Sequence, residues 1–161
     1  MESLVFADTH GNFHLAAEVI MQAGRVDKIF HLGDEVNDAI MLEHLFHRSV
    51  EKVAGNCDAP GKFLREICLD IGSTRIFLTH GDNYNVKAGL SQLHNRALST
   101  NAQIVLYGHT HLASIDEIDG ILYINPGSLH KGSAAKSYVR LSIKNSGPSA
   151  VIVPVRDIGS P

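Results

Sequence analysis

The chain has 161 residues, 44% hydrophobic and 19% charged, with a formal net charge of −3. This length suits one domain that buries roughly 70% of its unfolded surface, and the charge supplies no basic footprint for nucleic acid. No apolar run approaches the ~20 residues of a membrane span, and "MESLVFADTHG" enters a strand at once, unlike a secretory signal.

"SLVFAD" reads as a buried strand, Ser3 to Asp8. "FHLAAEVIMQAG" reads as a helix from Phe13, with Asn12 as N-cap and Gly24 as its stop. "DKIFHLGD" is a second strand and "DAIMLEHLFHR" a second helix, its apolar positions at Ile40, Leu42, Leu45 and Phe46. "VEKVAGN" is a third strand. This βαβαβ opening predicts a parallel sheet with helices packed on it.

The pattern then changes. "FLREICLDI" and "TRIFLTHG" flank "GS" as a hairpin. "NVKAGLSQLHNRALS" follows as a third helix, with Val86, Leu90, Leu93 and Ala97 at i, i+4, i+7 and i+11. "AQIVLYG" is a strand, and "ASIDEID", "ILYIN", "SYVRLSI" and "AVIVPV" complete a mostly antiparallel later part. Residues 1–161 read as a single domain, with about 157–161 as a loose tail. The two cysteines, Cys57 and Cys68, form no zinc-ribbon or redox spacing, and a reducing cytoplasm is the simple expectation.

The chemistry sits at strand ends. The first strand ends in Asp8-Thr9-His10, the second in Gly33-Asp34 and the third in Gly55-Asn56-Cys57-Asp58. "RIFLT" ends in His80-Gly81 and "QIVLY" in Gly108-His109-Thr110-His111. Open α/β sheets bind ligands outside the carboxyl ends of their strands. If the extended conformation runs on past Gly108, residues i and i+2 share a side and His109 and His111 project together. Each block alone has a plain structural reading, as a turn dipeptide or a polar loop residue. Independent turns have no reason to supply only Asp, His and Asn at the same end of the strands.

As an ordered set these blocks resemble the calcineurin-like metallophosphoesterase superfamily. The chain's size, its "GNCD" and its "NPGS" from Asn125 to Ser128 resemble the small prokaryotic, YfcE-like branch. The resemblance implies an α/β fold, a four-layer α/β/β/α sandwich of two mixed sheets flanked by helices. It also implies two divalent transition-metal ions, manganese first, with nickel, iron, cobalt or zinc as alternatives. By position, Asp8, His10 and His111 would bind one metal, Asn56, His80 and His109 the other, and Asp34 would bridge them. The carboxylate and imidazole donors suit such ions, and the lack of thiolate ligands sets the site apart from structural zinc. The two ions, both carboxylates and a bridging hydroxide leave a small positive excess that attracts an anionic phosphate ester.

The activity so implied is hydrolysis of a small phosphate diester by in-line attack of a metal-bridging hydroxide. Asp34, Asn56, His10 and Cys57 are the candidate catalytic residues, and Asn56, His109, Asp58, Asn125 and Ser128 the candidate substrate contacts. Many relatives have histidine where this chain has Cys57, whose readings are a weak proton donor or a small packing residue. Asp58 reads as a ligand-orienting or a turn residue, and Asn37 as a helix N-cap. Asp82 stands where several relatives have a second histidine, which alters the rim. His130 reads as a substrate contact or an exposed loop histidine, and His31 as a satisfied histidine within the sheet. The alternatives are a phosphomonoesterase or nucleotidase on the same centre, and a protein-binding scaffold like the retromer subunit of this fold. A homodimer is the expected assembly.

Overall fold

Strand β1 (Glu2–Phe6) alternates its side chains between two interiors. Leu4 and Phe6 join a cluster with two helices, whereas Val5, with Ala7 just beyond the strand, joins a cluster shared with a second sheet. A strand buried on both faces reads as a continuous apolar run, which is why "LVFA" shows no polar alternation. The structure, a computed structural model, describes residues 1–155. The expected loose tail at about 157–161 lies outside the described residues.

Helix α1 (Phe13–Ala23) leads to β2 (Lys28–His31), and α2 (Val36–Phe46) leads to β3 (Glu51–Lys52). Strand β2 pairs in parallel with both β1 and β3, as the βαβαβ pattern predicts. The hairpin of β4 (Glu66–Ile71) and β5 (Thr74–Thr79) turns through Gly72, at φ 60°, and Ser73. Helix α3 (Ser91–Ser99) precedes β6 (Ile104–Leu106), β7 (Ala113–Ile118) and β8 (Ile121–Pro126). The long strands β9 (Lys136–Lys144) and β10 (Gly147–Val155) close the described chain.

The first sheet has the order β10-β9-β1-β2-β3 and the second β4-β5-β6-β8-β7. Val5, Val139 and Leu141 of the first sheet, with Leu32 and Val53 just beyond its strands, pack against Ile76, Leu78, Ile104, Leu106 and Ile124 of the second. Helices α1 and α2 cover the outer face of the first sheet through Leu15, Val19, Ile20 and Leu42. Leu93 and Ala97 of α3 cover the outer face of the second, against Phe77, Val105 and Tyr123. The layers are therefore α/β/β/α, and each fully buried aliphatic or aromatic side chain contributes about 1.5–3 kcal/mol over exposure. Among the described residues no helix is long and apolar enough to cross a membrane.

The later strands pair mostly antiparallel, as expected, although β5, β6 and β8 run parallel to one another. Three sequence expectations need correction. The third helix begins at Ser91 rather than Asn85. Asn85 is left-handed and Gly89 has φ 136°, so residues 82–90 fold as successive turns that still bury Val86. Helix α2 begins at Val36, so Asn37 lies inside its first turn and its amide donates to Glu35 Oε1 instead of capping. The third strand is confined to Glu51–Lys52, because Ala54 N–H already donates to Leu64 O outside the ladder. Asn12 does occupy the N-cap position of α1, but its side chain donates to Leu129 O across the fold.

His31 is the satisfied sheet histidine that was expected. Gly33 N–H donates to its Nδ1 at 3.3 Å, so the proton sits on Nε2 and is shared with Thr9 Oγ1 at 3.0 Å. Burial lowers its pKa to about 4, against the partial offset of Asp58 and Asp8. An unfolded histidine titrates near ~6.5. Between these values the unfolded chain binds a proton that the folded chain refuses, so this contribution shrinks as pH falls, by up to about 1.4 kcal/mol per unit. His31→Gln lacks this titration. Urea midpoints of the two proteins should therefore converge between pH 7 and pH 4.5; a constant gap would rule the account out.

Candidate metal centre

Three parallel strands of the first sheet and two of the second deliver their carboxyl ends to one place. Asp8 follows β1, Asp34 follows β2, and Asn56 follows β3 by a short loop. His80 follows β5, and His109 and His111 follow β6. Glycine lets these loops touch. A Cβ at Gly33 would lie 2.5 Å from Gly55 N, and one at Gly55 would overlap Asp34 Oδ1. A Cβ at Gly108 would lie 2.8 Å from Ala7 Cβ and 2.9 Å from Asp8 Oδ2. At Gly33, Gly55 and Gly108 the glycine beside a donor is therefore a demand of close approach.

The donors meet in two groups, each with ligand atoms within 4.8 Å of one another. One contains Asp8, His10, Asp34 and His111; the other contains Asp34, His80 and His109. Asp34 is common to both. Its Oδ2 lies 3.4 Å from His80 Nε2 and 3.7 Å from His10 Nε2. Asp8 Oδ1 lies 3.1 Å from His111 Nε2. Asn56 Oδ1 and His109 Nδ1 each lie 3.2 Å from His80 Nε2. The structure thus brings together all seven residues expected as ligands. His109 and His111 follow the same strand yet belong to different groups.

Backbone strain accompanies this arrangement. Asp8, His10, Asp34, His109 and His111 all have positive φ, between 45° and 68°. Non-glycine residues in this region cost free energy and persist where the surroundings over-determine them. Here the surroundings do so. His109 N–H donates to Asp8 Oδ2 at 3.0 Å, Asp8 N–H to Gly33 O at 3.0 Å and Cys57 N–H to Asp34 Oδ1 at 2.9 Å.

His80 Nδ1 lies 2.7 Å from Leu32 O, so Nδ1 carries the proton and Nε2 is left for the shared space. Burial opposes a charge on His80, but the Asp34 hydrogen bond and the charges of Asp8 and Asp34 outweigh it and raise its pKa. The hydrogen bond to Asp8 raises His111, whereas burial and His80 lower His109. Burial would raise Asp34, but His80 and Cys57 hold it well below the usual carboxylate range.

Asp58 accepts four backbone N–H groups, from Asp34, Glu35, Val36 and Gly55, at 2.7–3.1 Å. It clamps two ligand loops and the start of α2 together, in keeping with its ligand-orienting reading. Other neighbours have tasks that differ from those expected. Asn125 is buried; its amide donates to Gly108 O and Thr110 Oγ1 and so holds the histidine loop. Ser128 Oγ donates to Asp8 O at 2.9 Å and is equally buried. Both position ligands in place of the expected substrate contact. Cys57 is exposed, which removes its packing reading. Asp82 pairs with Arg65, whose other branch donates to Gly55 O at 2.6 Å. Sequence reasoning missed Arg65 and also Asp38, a buried carboxylate accepting Gly11 N–H at 2.9 Å beside His10. Neither sits in a strand-end block, so no spacing signal marked them.

The donors fit divalent metal. His10 Nε2 is buried with no hydrogen-bond partner among the described residues, and buried Asp8 Oδ1 faces only the His111 ring at 3.1 Å, a costly state for polar atoms unless a cation completes it. A two-sheet sandwich with this oxygen and nitrogen donor set at its strand ends is the architecture of a metallophosphoesterase. The model of the calcineurin-like phosphoesterase superfamily domain matches residues 1–146, and the chain belongs to that superfamily.

The chain is 32% identical over 148 residues to the probable metallophosphoesterase YsnB of Bacillus subtilis, covering 90% of this chain and 86% of that one. It is 28% identical over 141 residues to the phosphodiesterase MJ0936 of Methanocaldococcus jannaschii, covering 76% and 81%. A predicted phosphoesterase of Streptococcus pneumoniae superimposes with a TM-score of 0.82 at 28% identity, covering 95% and 88%. Vps29 of Entamoeba histolytica, crystallised with zinc, shares the fold with a TM-score of 0.70 at 22% identity, covering 96% and 99%.

Proposed function

We propose that the protein is a dinuclear-metal-dependent phosphodiesterase that hydrolyses a small phosphate diester. The observation that carries this reading is Asp34, one carboxylate belonging to both donor groups. Asp8, His10 and His111 would hold one ion, Asn56, His80 and His109 the other, and Asp34 both, with manganese the preferred metal. When bound, two such ions would supply Lewis acidity toward a phosphoryl group and acidify water near neutral pH.

The chain's own groups do the rest. Asp8 and Asp34 set the charge of the centre, and the Leu32 carbonyl fixes the His80 ring. Asn56 is exposed and His109 partly so, and both would contact a substrate oxygen. Cys57 is held by burial and Asp34 at a pKa of about 11, so Sγ keeps its proton at neutral pH. A thiol is a weaker hydrogen-bonding acid than imidazolium. Esters with good leaving groups should therefore turn over best, and equal rates across leaving groups of widely different pKa would contradict this role.

The likeness to MJ0936 supports diester over monoester as substrate. The complete donor set favours chemistry over a protein-binding scaffold. Vps29 of this fold was crystallised with zinc, so metal binding alone does not separate the two readings and turnover must. The test uses metal-stripped protein with a bis-aryl phosphate diester and the matching monoester, with and without Mn²⁺, and His109→Ala as control. Metal-dependent diester turnover that vanishes in the variant is expected. Faster monoester turnover would make the protein a phosphatase, and no turnover with metals bound would favour the scaffold.

A further inference from the structure

His130 lies after β8, outside every strand-end block, yet it reaches the centre. Its ring centroid is 5.0 Å from that of His10, nearly edge-on at 74°, and 6.5 Å from that of His111. Both neighbours belong to the group that includes Asp8. The placement is built. Ser128 Oγ, itself donating to Asp8 O, accepts His130 N–H at 2.9 Å and the Ser133 hydroxyl at 3.1 Å. One buried hydroxyl thereby ties the His130 loop to the end of β1. Gly132 completes the seat, because a Cβ there would lie 3.0 Å from His130 Cε1. The ring is only partly buried, and its nitrogens have no hydrogen-bond partner among the described residues.

An imidazole held against two candidate ligands, with a solvent-open side, has an N–H to offer and nothing among the described residues to receive it. We propose that His130 is a substrate-binding residue that donates an N–H to a phosphoryl oxygen of the ester. This rests on the phosphoesterase reading above and adds a contact that the strand-end blocks do not contain. Imidazole carries at least one N–H in either protonation state, so the contact does not depend on titration. Cys57 approaches Asp34 through its own N–H, whereas His130 stands beside His10 and His111, so the two frame the centre from different ligands.

The test compares His130→Ala, His130→Gln and Gly132→Ala, all loaded with Mn²⁺. Metal affinity is measured first, by calorimetry, and should match wild type in all three. Binding of inorganic phosphate is measured next, which needs no turnover. His130→Ala should weaken phosphate binding and lower kcat/KM for the aryl diester by about 10- to 100-fold, as expected for a hydrogen bond to a charged acceptor. His130→Gln, which keeps an N–H donor, should recover part of both. Gly132→Ala, which only nudges the ring, should fall between wild type and His130→Ala. Unchanged phosphate affinity in His130→Ala would overturn the proposal, as would a loss fully explained by weaker metal binding. Wild-type protein that binds phosphate but hydrolyses neither ester would sink the catalytic reading and leave the phosphate contact standing.

Discussion

Asp34→Asn should abolish phosphoesterase turnover, with kcat/KM falling roughly 1,000-fold or more, as for loss of a central charge-stabilising group. The argument is geometric. Cys57 N–H holds Oδ1, so the asparagine keeps its oxygen there and turns its amide nitrogen to the place of Oδ2. That nitrogen would then point hydrogens at His80 Nε2 and His10 Nε2, which now lie 3.4 and 3.7 Å from Oδ2. An amide N–H₂ cannot ligate a cation, so one isosteric change disables both donor groups. A second measurement separates this from misfolding. A metal bound only by the folded state, at 100 times its Kd, stabilises that state by about 2.7 kcal/mol. Added Mn²⁺ should raise the melting temperature of wild type and leave the variant close to its chelator-treated value. A variant that keeps the full metal-induced rise would show that Asp34 is not shared.

Much of this centre was legible because its chemistry and its topology coincide. Parallel strands must present their carboxyl ends together, and "AD", "GD", "GN", "HG" and "GHTH" each close one such strand or follow it by a short loop. The two-sheet layering was less visible to periodicity alone. β5, β6 and β8 are parallel, but the crossover from β6 to β8 passes through the antiparallel β7, so their order in the chain looks like a meander. The false start of α3 has a local cause. Val86 and Leu90 keep helical spacing with Leu93, but Gly89 at φ 136° breaks the backbone between them. Burial of Val86 against the outer face of the second sheet is satisfied by a turn as well as by a helix. Asp58, Asn125 and Ser128 were found as residues near the centre, but their partners are backbone groups of distant loops. Sequence spacing carries no trace of which N–H a carboxylate will accept.

That hidden task makes Asp58 the place where stability and activity should fail together. Asp58→Ala removes the acceptor of four backbone N–H groups, three of them at the entry to α2. Unfilled helix-start donors cost about 0.5–2 kcal/mol at a single cap. A buried donor left unpaired costs about 1–3 kcal/mol. Water can reach some of these groups, since the site is only partly buried. The expected loss is therefore about 3–5 kcal/mol, within the range of strongly destabilising single changes. Activity should fall as well, because the clamp joins Asp34, at φ 56°, to the Gly55-Asn56 turn. Releasing it lets the strained aspartate relax and separates donors of the two groups. Asp58→Asn discriminates the causes. It keeps an accepting oxygen but turns two hydrogens toward backbone donors, so it should destabilise nearly as much as alanine despite equal volume. Chemical denaturation of both variants and Mn²⁺ affinity in each decide the point. A small stability change with normal metal affinity would mean that solvent replaces the carboxylate and that the loops hold without it.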